Sequence, residues 1–278
     1  MKISRFLLPL LALVATLVGL PRAHAESEFI TLASTTSTQA SGFFDYFLPL
    51  AQAKTGIEVR VVAVGTGQAL KLGEKGDCDA LLVHDRPGEM KFVNAGFGVD
   101  RRELMYNDFV VVGPKADPAG IRGNKDAAQV LQAIGTTKAT FVSRADDSGT
   151  HRAELRLWDA TRVDARAASG TWYKELGAGM GATLNTAAAL DAYTLSDRAT
   201  WLTFKNRGDL ELLAEGDPRL FNQYSTILVN PRRFAHVKFD AAKKFVDFLT
   251  SAEGQQLIGA YKVAGTVLFV PNYDPTKR

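Results

Sequence analysis

From Phe29 onward the chain alternates short apolar or β-branched runs with stretches whose apolar residues recur at helical spacing, and few architectures accommodate that rhythm. Residues 29–33, 57–64, 80–83 and 104–112 read as strands. Between them, Phe43, Phe44, Phe47, Leu48 and Ala51 share one helical face that Gly56 ends. A short helical pattern follows Gly65-Thr66-Gly67, and another runs from Pro87 to Gly96. The second half repeats the pattern: helices over 126–134, 150–161 and 183–193, extended segments over 140–142, 199–204 and 226–229, and two C-terminal helices over 239–249 and 251–261. The expectation is an α/β fold with largely parallel sheets. Two places read as chain crossings, the Gly113-Pro114 break and the polar stretch 222–225. Two crossings give a discontinuous first lobe (26–113 with 225–278) around a second lobe (114–224), and a cleft between lobes is where small ligands bind.

The rest of the composition narrows the partners. The formal charge is +3, but Lys2, Arg5 and Arg22 lie in the first 25 residues, which carry no acid. Without them thirty basic side chains face thirty acidic ones, so charge offers no case for nucleic acid or an anionic membrane. Those 25 residues form a basic start, the uncharged run 6–20, and the small-x-small site Ala23-His24-Ala25. That is the pattern of a signal peptide cleaved after Ala25, and it is too short for a spanning helix. The expected product is exported to a periplasm. A single cysteine, Cys78, excludes a disulfide framework, and His84, His151 and His236 show no metal spacing.

Three polar loops each fall between a strand end and a helix start: Ser34-Thr35-Thr36-Ser37-Thr38, Gly65-Thr66-Gly67, and the run from Ser143-Arg144 through Asp146-Asp147-Ser148-Gly149-Thr150. A helix start presents unpaired N–H groups and the positive end of a dipole, and hydroxyls add donors. Such places hold anions. Glycine lets the backbone approach an oxyanion, and Arg144 adds a planar fork of donors. Taken singly, each loop is equally a helix cap, a tight turn or a surface ion pair. Their threefold recurrence is what points to an oxyanion site.

The segments Ser34-Thr35-Thr36-Ser37-Thr38-Gln39, Val64-Gly65-Thr66-Gly67-Gln68-Ala69-Leu70, Tyr106-Asn107-Asp108-Phe109-Val110, Ser143-Arg144-Ala145-Asp146-Asp147-Ser148-Gly149-Thr150-His151 and Ala192-Tyr193-Thr194-Leu195-Ser196-Asp197-Arg198 together resemble the tungstate-binding periplasmic proteins of ABC importers. The resemblance spans the chain after residue 25. It implies a two-lobed, type II periplasmic binding fold that closes on its ligand, without catalysis or cofactor. It also implies ligation by Thr35, Thr36 and Thr66 from one lobe and by Arg144, Ser148, Gly149 and Thr150 from the other, with Thr194 as a weaker candidate. Ser34 stands where the family more often has Thr, and keeps the hydroxyl. The implied partners are tungstate or molybdate and the permease and ATPase of an importer, with the binding protein a monomer.

Three other readings stay open at this point. Asp146, Asp147, Ser148 and His151 suggest a hydrolase, although four residues of one loop and helix start rarely make a triad. A phosphate site would use a carboxylate to accept the anion's proton, and Asp79, Asp85, Asp146 and Asp147 are available for that. A ligand-loaded partner of a sensor receptor is the third. Tungstate and molybdate share charge and shape, so the sequence does not separate them.

Overall fold

In the computed structural model the protein is described over residues 28–263 and 265–276. The expected signal segment 1–25 lies outside the described residues. The first lobe opens with β1 (Phe29–Thr35), which runs straight into the short helix α1 (Thr36–Ala40). Helix α2 (Phe43–Thr55) follows, its end set by Gly56 at φ +72°. Then come β2 (Glu58–Val64), α3 (Thr66–Lys75), β3 (Ala80–Val83) and α4 (Arg86–Asn94). Strands β1, β2 and β3 are parallel, with Leu32 facing Val61 on one side and Ala80 on the other.

Strand β4 (Gly98–Pro114) is 17 residues long and serves both lobes. The second lobe contains α5 (Ala127–Thr137), β5 (Phe141–Ser143), α6 (Gly149–Asp159), β6 (Tyr173–Glu175), α7 (Met180–Ala189), β7 (Thr194–Asp197), α8 (Arg198–Thr203) and β8 (Leu210–Ala214). The chain returns through β9 (Phe221–Val229) to α9 (Phe239–Leu249) and α10 (Ala252–Ala260). Strand β4 pairs with β9 from Gly98–Val229 to Asp108–Phe221, and its last residues pair with β7 and β8 instead. The first-lobe order is therefore β2-β1-β3-β9-β4, with Val270–Pro271 at the outer edge of β4.

Each lobe has its own core. Phe43, Phe47, Phe245 and Phe269 pack over Ile30 and Leu32 on one face of the first sheet. Phe141, Trp158 and Tyr173 pack with Leu131 and Ile134 in the second lobe, and Phe109 and Val111 of β4 join them. Burying one such side chain contributes about 1.5–3 kcal/mol.

The structure corrects three element readings. The sheets are mixed, because β4 and β9 carry the chain between lobes and enter antiparallel to their neighbours. Residues 199–204 read as extended from Thr200, Trp201 and Phe204, yet 198–203 are helical: Asp197 caps them by accepting from the Thr200 N–H at 2.8 Å. Residues 222–225, read as a polar chain crossing ahead of a strand over 226–229, are themselves part of strand β9, which begins at Phe221. Asn222 donates to Asn107 across the ladder at 2.7 Å, and Gln223 donates to Asn272 at 3.1 Å, so these polar side chains are satisfied within the sheet.

Candidate functional site

Four helix starts meet where the lobes face each other. From the first lobe come α1, directly after β1, and α3, directly after Gly65. From the second come α6, capped by Ser148, and α7, which follows Gly179. The lobes touch here: Arg144 Nη2 donates to Thr36 Oγ1 at 3.1 Å, and the Gly67 N–H donates to the Asp147 carbonyl at 3.2 Å. A Cβ on Gly149 would sit 2.6 Å from the His84 ring, and one on Gly65 would sit 2.8 Å from the Asp146 carbonyl. Glycine is what allows this approach.

The candidate residues divide by what their polar atoms already do. Thr35 Oγ1 caps α1 through the Thr38 N–H at 3.3 Å and lies 2.8 Å from Thr38 Oγ1. Ser148 Oγ caps α6 through the His151 N–H at 3.2 Å, which leaves its own proton to donate. Thr194 Oγ1 donates to the Val142 carbonyl at 2.7 Å and so ties β7 to β5. By contrast, Thr66 Oγ1, Thr150 Oγ1 and Arg144 Nη1 are buried and have no hydrogen-bond partner among the described residues. Leaving a buried polar group unpaired costs about 1–3 kcal/mol, more if charged. Asn107 Nδ2, Asp197 Oδ2, Thr200 Oγ1 and Thr226 Oγ1 are likewise buried and unpartnered among the described residues. Thr66 and Thr150 open α3 and α6, and Arg144 lies in the loop ahead of α6; donors of this kind, on both sides of the lobe contact, suit a tetrahedral anion.

Arg144 is not on an open wall, as a cleft residue is expected to be; it is 1% exposed. Its Nε and Nη2 donate to Asp146 Oδ2 at 3.2 and 2.5 Å, and Asp146 Oδ1 accepts from the Ser148 N–H at 3.2 Å. Asp146 is thus engaged through both oxygens. Asp147 is engaged by Arg152, whose hydrogen bonds hold its carboxyl below the usual range. Asp79 lies away from the cleft and ties β1 to α9, accepting from the N–H groups of Thr31 and Lys238 at 2.7 Å each.

Sequence reasoning missed His84, Asn222 and the start of α7. His84 Nε2 lies 3.2 Å from Ser37 Oγ and its Nδ1 lies 2.9 Å from Asn222 Oδ1, which links the hydroxyl loop to the paired strands β4 and β9. Burial pushes the imidazole down to about 4, against the Asn222 hydrogen bond, and the Arg144 charge pushes the same way as burial. The ring is neutral at pH 7. The signal available for α7 was Gly177-Ala178-Gly179-Met180-Gly181 ahead of a helical pattern; Thr36 Oγ1 lies 3.9 Å from where a Gly179 Cβ would stand.

No nucleophilic arrangement forms among the described residues. Ser148 meets the His151 main chain, and His151 Nδ1 accepts from the Asp147 N–H at 3.1 Å. Among the described residues no group of His, Cys, Asp and Glu is placed to hold a metal ion. Cys78 is buried, its thiol pushed up to about 12 chiefly by burial. A cavity of about 500 Å³ lies beside the interlobe strands between Arg86, Phe109, Arg156 and Phe221, but none of the unpartnered donors lines it. Among the described residues no helix is long and apolar enough to cross a membrane.

Two lobes joined by paired strands, with donor-rich helix starts meeting between them, define a solute-binding protein of the periplasmic type. A family model described as a PBP superfamily domain matches residues 21–253. The tungstate-binding protein TupA of Peptoclostridium acidaminophilum is 44% identical over 247 residues, 87% of this chain and 85% of that one. The TupA of Campylobacter jejuni is 36% identical over 84% of this chain and 87% of its own length. The solved tungstate-binding TupA from Desulfovibrio alaskensis superposes with a TM-score of 0.76 at 45% identity, covering 89% of this chain and all of that one. The chain belongs to the PBP superfamily and, within it, to the TupA family.

Proposed function

We propose that the protein captures tungstate between its lobes and delivers it to the permease and ATPase of an ABC importer, acting as a periplasmic monomer without cofactor or catalysis. The observation that carries the reading is the trio of buried, unpartnered donors, Thr66 Oγ1, Arg144 Nη1 and Thr150 Oγ1. The names of the TupA relatives support the choice of anion. On this reading Thr36, Thr66 and Thr150 donate from helix starts and Arg144 supplies the charge. Ser148 and the Gly149 N–H complete the second-lobe side, and Thr35 organises the loop it caps. Thr194 supports β5 and makes no ligand contact. The expected division at 113 is drawn back here to Phe109, because residues 109–112 pack in second-lobe clusters, which makes the proposed lobes 26–108 with 225–278 and 109–224.

Phosphate is disfavoured by the engaged carboxylates. A protonated phosphate needs an acceptor, and Asp146 and Asp147 are both held by arginines. A fully ionised dianion needs donors alone, and Thr66, Arg144 and Thr150 are donors; Asp197, whose Oδ2 is also unpartnered among the described residues, is used through Oδ1 as the cap of α8. Calorimetry of the protein from Glu26 onward tests this: tungstate and molybdate bind, and phosphate binds at least about 100-fold more weakly, a difference of about 2.7 kcal/mol. Equal affinity for phosphate would overturn the tungstate reading and leave an unselective oxyanion site.

A further inference from the structure

Asp85 occupies the N-cap position of α4, where an aspartate normally accepts from its own helix. It makes no such bond. Both carboxylate oxygens instead reach the other lobe: Oδ2 accepts from Arg152 Nη1 at 2.7 Å and Oδ1 from Arg156 Nη1 at 2.9 Å. The side chain is 3% exposed. Its backbone is fixed from behind, since the Asp85 N–H donates to Glu89 Oε1 at 2.9 Å and Glu89 is paired with Arg101. Arg152 continues the chain of charges to Asp147, at 2.7 and 2.9 Å.

Two glycines keep the gap open for Arg152. A Cβ on Gly88 would stand 2.8 Å from Arg152 Nη1, and one on Gly67 would stand 2.7 Å from Arg152 Nη2 and 1.7 Å from Asp147 Oδ2. Two carboxylates and two guanidinium groups therefore balance across the cleft, and none of the four belongs to the unpartnered donors. Opening the lobes separates Asp85 from both arginines at once.

We infer that Asp85, Arg152 and Arg156 form an interlobe latch that governs how long the closed protein retains its anion while leaving the choice of anion to the donor site. The inference rests on the tungstate reading for its ligand. Attraction across the latch exists only when the lobes are closed, so it acts on opening, and hence on dissociation, more than on encounter. Being partly exposed through Arg156, the latch also weakens with salt.

The test compares wild type with Asp85→Asn, which keeps the shape and removes the charge. Tungstate dissociation by stopped flow is expected to accelerate at least fivefold, with the order of tungstate, molybdate and phosphate affinities unchanged and a smaller dependence on salt. Arg152→Gln is expected to reproduce the effect, and the double variant to add little to either single one. Unchanged dissociation from Asp85→Asn, or fully additive effects, overturns the latch. Spin labels at Gln52→Cys and Thr136→Cys read lobe separation directly in the ligand-free protein. A higher open fraction in Asp85→Asn supports the latch even if the wild type binds no tungstate, in which case only the reading of the ligand fails; an unchanged distance distribution overturns the latch.

Discussion

Arg144 divides its guanidinium between two tasks. Nε and Nη2 are held by Asp146, and Nη2 also reaches Thr36, while Nη1 has no partner among the described residues and, on the proposed reading, meets the ligand. A lysine cannot be both anchored and aimed, because its ammonium is a single point on a flexible stem. Arg144→Ala is therefore expected to weaken tungstate binding by at least about thirtyfold, or ~2 kcal/mol, and Arg144→Lys to lose affinity as well. Burial adds a second expectation: Arg144→Ala leaves Asp146 without its partner, so the variant should also melt at a lower temperature. Calorimetry on the folded variant, checked by circular dichroism, separates the two effects. Binding within twofold of wild type would place the site elsewhere.

At the scale of elements, the site is made by strand-to-helix junctions whose caps leave no room to spare. Gly149 opens α6 against His84, where a Cβ would lie 2.6 Å from the ring and 3.0 Å from the His84 carbonyl. The carbonyl belongs to backbone anchored beyond β3 and does not yield like a side-chain tip. Gly149→Ala should therefore hold the lobes apart and weaken tungstate binding at least tenfold. Alanine suits a helix position better than glycine, so the melting temperature of the ligand-free protein should not fall. Calorimetry with a parallel melting curve checks the pair of outcomes; a variant that binds normally would show that the lobes need not approach this closely.

Across the whole molecule, two buried groups oppose each other in their effect on stability with pH. Glu154 lies beneath β5, accepting from Ser143, Trp158 and Tyr173 at 2.8, 3.1 and 2.6 Å, and burial raises its carboxyl to about 7. The folded state keeps a proton that the unfolded state releases near 4.5, so stability falls as pH rises from about 4.5 to 7. His84, pushed down to about 4, works the other way: stability falls as pH drops from about 6.5 to 4. Glu154→Gln keeps an acceptor for Trp158 and Tyr173 and offers its amide to Ser143. Its stability relative to wild type should rise by about 3 kcal/mol between pH 4 and pH 8, since each tenfold difference in proton affinity between folded and unfolded states is worth about 1.4 kcal/mol. Urea unfolding at several pH values reads this difference, and parallel profiles would show that Glu154 is ionised in the fold.

The strand-to-helix junctions at 34–38, 65–67 and 143–150 were legible, though the first two are junctions rather than loops, because the signal is local: a β-branched run, a hydroxyl or glycine, then helical spacing, all within a dozen residues. The same local reading missed α8, where one cap from Asp197 outweighs the β-propensity of Thr200 and Trp201, and it started β9 at 226, leaving out its polar first residues from Phe221. Nor did it reveal which hydroxyls remain for a ligand. Thr194 is committed to Val142, 52 residues away, while Thr66 and Thr150 are committed to nothing among the described residues. Asp85 finds its arginines 67 and 71 residues downstream, in the other lobe. That donor-rich helix starts stand at strand ends follows from the order of residues alone, because capping and periodicity depend on neighbours in the chain. Which donors stay free, and which charges bridge the cleft, is settled by the packing of distant segments, because a hydrogen-bonding group takes whatever partner that packing brings within about 3 Å.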